Sequence, residues 1–588
     1  MTATRVSIRF LILQLALLVG TAAMNAAGAQ ADPRIGLRPG WNDAGEAARN
    51  LELIAHRAKS DGWFRADSMG DINYWNSDMA FMGNYLFQGG YYGFQIWDIS
   101  NAASPTLRSK FVCPSGQGDV SVYRNLLFVS SQETRNRIDC GTQGVPDTVS
   151  ADRLRGVRIF DISDMDHPKQ VAVVQTCRGS HTHTLVTDPK DPANVYIYVS
   201  GTSVVRPDAE LAGCSGRPPE EDPNTALFRI DVIRVPLARP QDARIVSSPR
   251  LFADSAGAIA GLAKGDSLDK EHHHSETNRC HDITVYPALS LAAGACAGNG
   301  ILLDISDPAN PRRIAEVSDP NFSFWHSATF SNDGGKVLFT DEWGGGGLPK
   351  CRATDDPKWG ADAIFTLSGR KLSPAGYYKL PVVQTDTENC VAHNGSIIPV
   401  PGRDIMVQAW YQGGVSVFDF TDPSRPVEIA FFDRGPDDPT TLFVSGQWST
   451  YWYNGHIYGS EMGRGLDVLD LKPSDYLSQN EIDAAKLVHL DLFNPQNQPK
   501  AVWPASFVVA RAYLDQLVRD KGISSARSAV VARELGRAEK LRGAARRTAL
   551  KQLAAQLDRD AQGASDKVRV QTLAANVREL GEAKAIGK

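Results

Sequence analysis

The 588-residue sequence predicts an all-β chain, a seven-bladed β-propeller of four-stranded blades, with a C-terminal α-helical extension. Three observations predict it. A strand-and-turn unit recurs between residues 93 and 475, two strand-like runs precede each copy, and the composition turns to Ala, Arg, Lys, Leu and Gln after residue 475.

From the N-terminus, Arg5 and Arg9 precede an apolar run that ends in Ala27-Gly28-Ala29, the pattern of a signal peptide over residues 1–29 cut near Ala29. No later run reaches the roughly 20 apolar residues of a membrane helix, so the mature chain is expected to be secreted, periplasmic or on the cell surface, without a transmembrane segment. Residues 30–49 are expected to be a linker. LELIAHR (51–57) resembles a return strand without a blade of its own, and is expected to complete the last blade of a propeller spanning 50–475.

Strong copies of the unit are GFQIWDISNAASP (93–105), GVRIFDISDMDHP (156–168), NGILLDISDPANP (299–311) and GVSVFDFTDPSRP (414–426). Weaker copies are ALFRIDVIRVP (226–236), ADAIFTLSG (361–369) and GLDVLDLKPSD (465–475). Each alternates apolar and polar residues and runs into a turn and an antiparallel return strand. One such blade cannot bury both faces; stacking around a ring supplies the cover.

The motif G-φ-x-φ-φ-D-φ-S-x-x-x-x-P resembles the LVIVD-repeat family of exported bacterial and archaeal propellers, over about residues 50–475. The resemblance implies a fold and a surface location, and it brings no agreed activity or catalytic residues. Residues 476–588 are expected to form two or three helices, with Phe507, Ala510, Leu514 and Leu517 on one face, Leu550, Leu553 and Leu557 on another, and Pro504 in a first turn.

The formal charge of -5 becomes -7 without Arg5 and Arg9 of the leader. From residue 501 onward there are seventeen Lys+Arg against nine Asp+Glu, so residues 30–500 carry -15. An acidic body attracts cations and excludes nucleic acid as the ligand; a small ligand or a cell-surface partner is expected instead. Eight cysteines in an exported chain are expected to pair with their sequence neighbours, Cys113–Cys140, Cys177–Cys214, Cys280–Cys296 and Cys351–Cys390, bracing loops at the channel mouth.

Aligning the first strands places Asp78, Asp119, His183, His281, His326, His393 and Trp448 at one register. First strands line the central channel, so the imidazoles are expected to converge on a divalent transition metal, with Asp78 and Asp119 completing the shell or orienting the rings. The alternative is a polar channel lining that binds water. At the ends of second strands, Glu133, Glu342 and Glu461 are candidate acids or bases, and Arg464 is expected to pair with Glu461 or a neighbouring acid. His272-His273-His274 is expected to be solvated, and Gly344–Gly347 to be a flexible lid. A non-catalytic surface scaffold and a metal-dependent oxidase or lyase are the alternative functions. The axial histidines look loosely like those of the selenium-binding and methanethiol oxidase propellers, which would favour the oxidase.

Overall fold

The computed structural model describes residues 31–267 and 272–582. The expected signal peptide lies outside the described residues. Every copy of the repeat forms the third strand of an antiparallel up-and-down meander. Meander A runs Asn76–Met82, Tyr85–Gly90, Gly93–Asp98 and Thr106–Val112. Meanders B (120–175), C (182–247), D (283–317), E (325–378) and F (394–434) follow the same order. Meander G has three strands of its own within 447–471.

The D-φ-S/T signature has a local cause. Asp98, Asp161, Asp304 and Asp419 each accept a hydrogen bond at Oδ1 from the backbone N–H of Ser100, Ser163, Ser306 or Thr421, at 2.8–3.0 Å. These Asx turns end the third strand and reverse the chain. In each meander the register then shifts by a bulge where the outer strand pairs back, which bends the sheet and strengthens its twist.

The first strands are innermost: Asn76–Met82, Val120–Tyr123, Thr182–Thr187, Ile283–Tyr286, Trp325–Phe330, Asn394–Ile398 and Gln447–Tyr453. Each lies beside the next and the last returns to the first, closing a ring. The core is correspondingly a ring of layers between sheets. Phe87, Phe94, Val120 and Phe160 fill the layer between A and B, and Phe81, Met79, Tyr451 and Val468 fill the layer between G and A.

LELIAHR behaves as expected. Leu51–Ala58 pairs antiparallel with Gly465–Leu471, from Leu51 opposite Leu471 to Ala58 opposite Gly465, and supplies the missing fourth strand of G. The segment before it also folds on: Glu46–Arg49 pairs with Val427–Arg434 of F, and buried Arg34 holds Glu428 at 2.9 Å. A parallel pairing of Asn394 and Gly395 with Ser449 and Thr450 joins F and G, giving one nine-stranded sheet.

All four expected disulfides form. Cys296 is the last residue of its strand rather than a loop residue.

Beyond G the chain forms α1 (Gln479–Ala485), α2 (Phe507–Arg519), α3 (Ser525–Lys540), α4 (Gly543–Asp560) and α5 (Lys567–Glu582), more helices than expected. Ser506 caps α2 through the Val509 N–H, so Pro504 precedes the helix and does not sit in its first turn. Ala510, Leu514, Leu517, Leu550, Leu553 and Leu557 share one apolar core. The bundle docks on F, where Trp503 and Gln516 donate to the carbonyls of Pro399 and Pro401 and Glu481 of α1 joins Arg403 to Arg519. Among the described residues no helix is long and apolar enough to cross a membrane.

Between α1 and α2 the chain crosses one end of the channel and plugs it. Inner strands leave their axial edges unpaired, and this segment pairs them. Phe493 lies opposite Phe81. The side chain of Asn494 accepts from Val122 N–H at 2.7 Å and donates to Val122 carbonyl at 2.9 Å, as a backbone neighbour would. Gln498 does the same to Phe330 at 2.9 and 2.7 Å. Between them, the Gln496 carbonyl accepts from Val285 and Gln498 N–H donates back to it.

Candidate metal centre

At the opposite end of the channel, the first strands begin and three of the expected histidines meet. His281 and His326 have ring centroids 3.9 Å apart, and His326 and His393 4.2 Å. Glu342, which follows the second strand of E, reaches both flanks: its Oε2 is 3.8 Å from His326 Nε2 and its Oε1 3.8 Å from His393 Nε2. One ligand atom each from His281, His326 and Glu342 lie within 4.8 Å of one another. All four side chains are buried.

The fourth imidazole is His181, not His183. Thr182 Oγ1 donates to the His281 carbonyl and Thr184 Oγ1 to that of Ile283, and this register between C and D sets His181 beside His281, Nε2 to Nε2 at 2.7 Å. His183 falls two residues further along and enters the layer between B and C. Both of its ring nitrogens are taken there, Nε2 by Ser121 Oγ at 2.7 Å and Nδ1 by Ser130 Oγ at 2.8 Å.

Around the cluster, acceptors hold the outer ring nitrogens. Gln132 Oε1 lies 2.7 Å from His181 Nδ1, Asp282 Oδ1 3.1 Å from His281 Nδ1, and the Trp448 carbonyl takes His393 Nδ1. With Nδ1 of His181, His281 and His393 carrying the hydrogen, the Nε2 atoms of these three rings present lone pairs to the channel. The lone pairs of His181 and His281 then face each other, and among the described residues His326 Nε2 is buried with no hydrogen-bond partner.

Burial works against relieving this with a proton. It pushes His281 and His393 down to about 3, and His181 and His326 well below the usual imidazole range, with neighbouring rings adding to the effect at His181, His326 and His393 and Arg279 adding to it at His281. The same burial pushes Glu342 up to about 8, although the Tyr411 hydroxyl donates to it.

Asp78 and Asp119 lie apart from the histidines in a carboxyl cluster with Asp282, toward the plug. Tyr451 Oη donates to Asp78 at 2.5 Å and Gln496 Nε2 at 3.0 Å, and Asp78 and Asp282 repel a charge on Asp119. Burial raises all three, Asp282 to about 7. The carboxylate that orients a histidine is therefore Asp282, one residue after His281.

Glu133 is exposed. Glu461 is buried among other partners: it accepts from the Arg464 N–H, and Arg464 pairs with Asp437 at 2.6 Å. Burial brings Glu461 up to about 7.

Two sequence expectations need correction. His272 is buried against Trp343 and Trp359, with ring centroids 4.7 and 5.3 Å away, while His273 is exposed. The glycine run is a short turn anchored by buried Trp343. Gly344, Gly345 and Gly346 all have positive φ, which explains the glycines without a lid. His181, Tyr411 and Asp282 were missed as site residues, although His181 and Asp282 each adjoin or closely flank an aligned strand head.

Among solved structures, the chain is similar to hydrazine synthase of Kuenenia stuttgartiensis, at 12% identity over 66% of this chain and 94% of that chain, TM-score 0.40. It is similar to the WD40 β-propeller domain of Doa1, at 9% identity over 72% of this chain and 97% of that chain, TM-score 0.39. No curated protein matches significantly. The LVIVD repeat model matches residues 76–112, the span of meander A from its first strand to its last. This chain is thus a β-propeller that carries an LVIVD repeat.

Proposed function

We propose that the chain is an exported seven-bladed propeller that binds a divalent transition metal at its channel mouth through His281, His326 and Glu342, with His181 and His393 completing the set. The metal in turn binds a small ligand. The observation that carries this reading is the inward convergence of Nε2 atoms: those of His181 and His281 lie 2.7 Å apart, and that of His326 is buried without a hydrogen-bond partner among the described residues. With Nδ1 of both His181 and His281 donating outward, the facing Nε2 atoms call for a shared cation, and burial disfavours a proton in that role. Imidazoles with one carboxylate suit Zn, Fe, Mn, Ni or Cu.

The acceptors on His181, His281 and His393 support the reading, because metal-bound histidines commonly fix their second nitrogen this way. His181 alone among the four rings is only partly buried, so a ligand reaches the metal on its side. The four disulfides fit an oxidising compartment.

Elemental analysis of protein exported to such a compartment tests the proposal. Near-stoichiometric metal is expected, lost in His281→Ala and His326→Ala and retained in His183→Ala. Metal-free protein after exposure to each candidate ion, or equal metal in all three variants, would sink it.

A further inference from the structure

Loops of meanders B and C enclose a cleft of about 660 Å³ that includes Arg135, Arg153, Arg155 and Arg206 in its wall. Its volume lies in the range of small-molecule sites. Val145 and Val204 give it an apolar flank.

The four cations are unequally compensated. Buried Glu210 accepts from Arg206 Nε at 2.8 Å and pairs with Arg153 as well. Arg153 also donates to the carbonyls of Thr134, Asp147 and Thr148. Arg135 and the Asp147 side chain are exposed at the rim.

Arg155 differs from its neighbours. It is 3% exposed, yet among the described residues it forms no ion pair. Its Nη2 donates to the Val204 carbonyl, and its Nε is buried without an acceptor. Burial, with repulsion from Arg206 and Arg153 that Glu210 and Glu133 offset only in part, pushes its guanidinium down to about 10. Leaving a guanidinium desolvated without a counter-charge is costly, and an oxyanion removes that cost by accepting from it.

We propose that this cleft binds a small organic molecule through a carboxylate or phosphate group, with Arg155 as the buried anchor and Arg135 as the contact at the rim. None of its lining residues belongs to the histidine cluster, and its test needs no metal.

Calorimetric titration of the full chain with succinate and with inorganic phosphate distinguishes the two anion chemistries. One of them is expected to bind saturably, with affinity weakened at least about tenfold in Arg155→Gln and roughly threefold in Arg135→Gln. Arg425→Gln, at an exposed turn pair with Asp422, is expected to bind like wild type. Arg135 is exposed, so its variant decides the matter even if Arg155→Gln fails to fold. Saturation by neither anion, or unchanged affinity in Arg135→Gln, would overturn the proposal.

Discussion

At the residue scale, His181 and His183 stand two apart and do different work. His183 is a packing histidine whose two nitrogens satisfy Ser121 and Ser130 between two sheets, and burial keeps it neutral, its imidazole pushed down to about 3. His183→Ala is expected to cost about 1–3 kcal/mol by leaving the buried Ser121 hydroxyl unpaired, without reducing bound metal; chemical denaturation and elemental analysis of one sample check both. The clustering of His281, His326 and His393 was legible in the sequence because each stands at or next to the start of an alternating strand. The choice between His181 and His183 was not, because hydrogen bonds from Thr182 and Thr184 to the neighbouring strand set that register. Asp78 and Asp119 were aligned with the histidines by sequence, but the channel has depth, and they occupy a lower layer.

At the element scale, the third strands were legible from their Asx turns, and the closing strand from its likeness to a return strand. The channel plug was not legible. Its residues, NPQNQP at 494–499, have no strand or helix period, and their value lies in amide side chains that imitate a peptide group. Asn494→Ala is expected to destabilise by about 1–3 kcal/mol, since it strips both partners from the buried Val122 peptide edge; a denaturant midpoint measures it. The plug also separates two truncations. A chain ending after residue 506 keeps it and is expected to give a cooperatively folded propeller, whereas one ending after 475 loses it and is expected to melt earlier, as calorimetry of the pair would reveal.

At the scale of the whole molecule, Asp467 binds the closure together. It accepts from Arg434 at 2.6 Å, from His56 at 2.7 Å and from Gln447 at 2.8 Å, so residues from F, G and the N-terminal strand share one carboxylate. Burial alone would raise it, but Arg434 and His56 hold it well below the usual carboxylate range. Because the folded value lies below the unfolded value of about 4, the stabilisation is complete above that pH and is lost as pH falls through the folded value. Asp282, Glu342 and Glu461 act in the opposite sense. In the metal-free chain burial raises them to about 7, 8 and 7, so these three groups hold more protons when folded and cost stability as pH rises toward 8. His181, His183, His281, His326 and His393, held well below their usual range, instead cost stability as pH falls below about 6.5. Denaturation midpoints across pH 3–8 are expected to peak in mild acid. Asp467→Asn is expected to lose about 3–5 kcal/mol at neutral pH and to show a shallower acid limb.

The strand that completes the ring is made early and its partner late. Leu51 meets Leu471 only after the 419 intervening residues have been synthesised. Until then the final sheet has a bare flank, and its edge must be shielded from other chains. Refolding from denaturant should accordingly become concentration-sensitive when Leu51–Ala58 is deleted, because a second molecule then offers the nearest substitute strand.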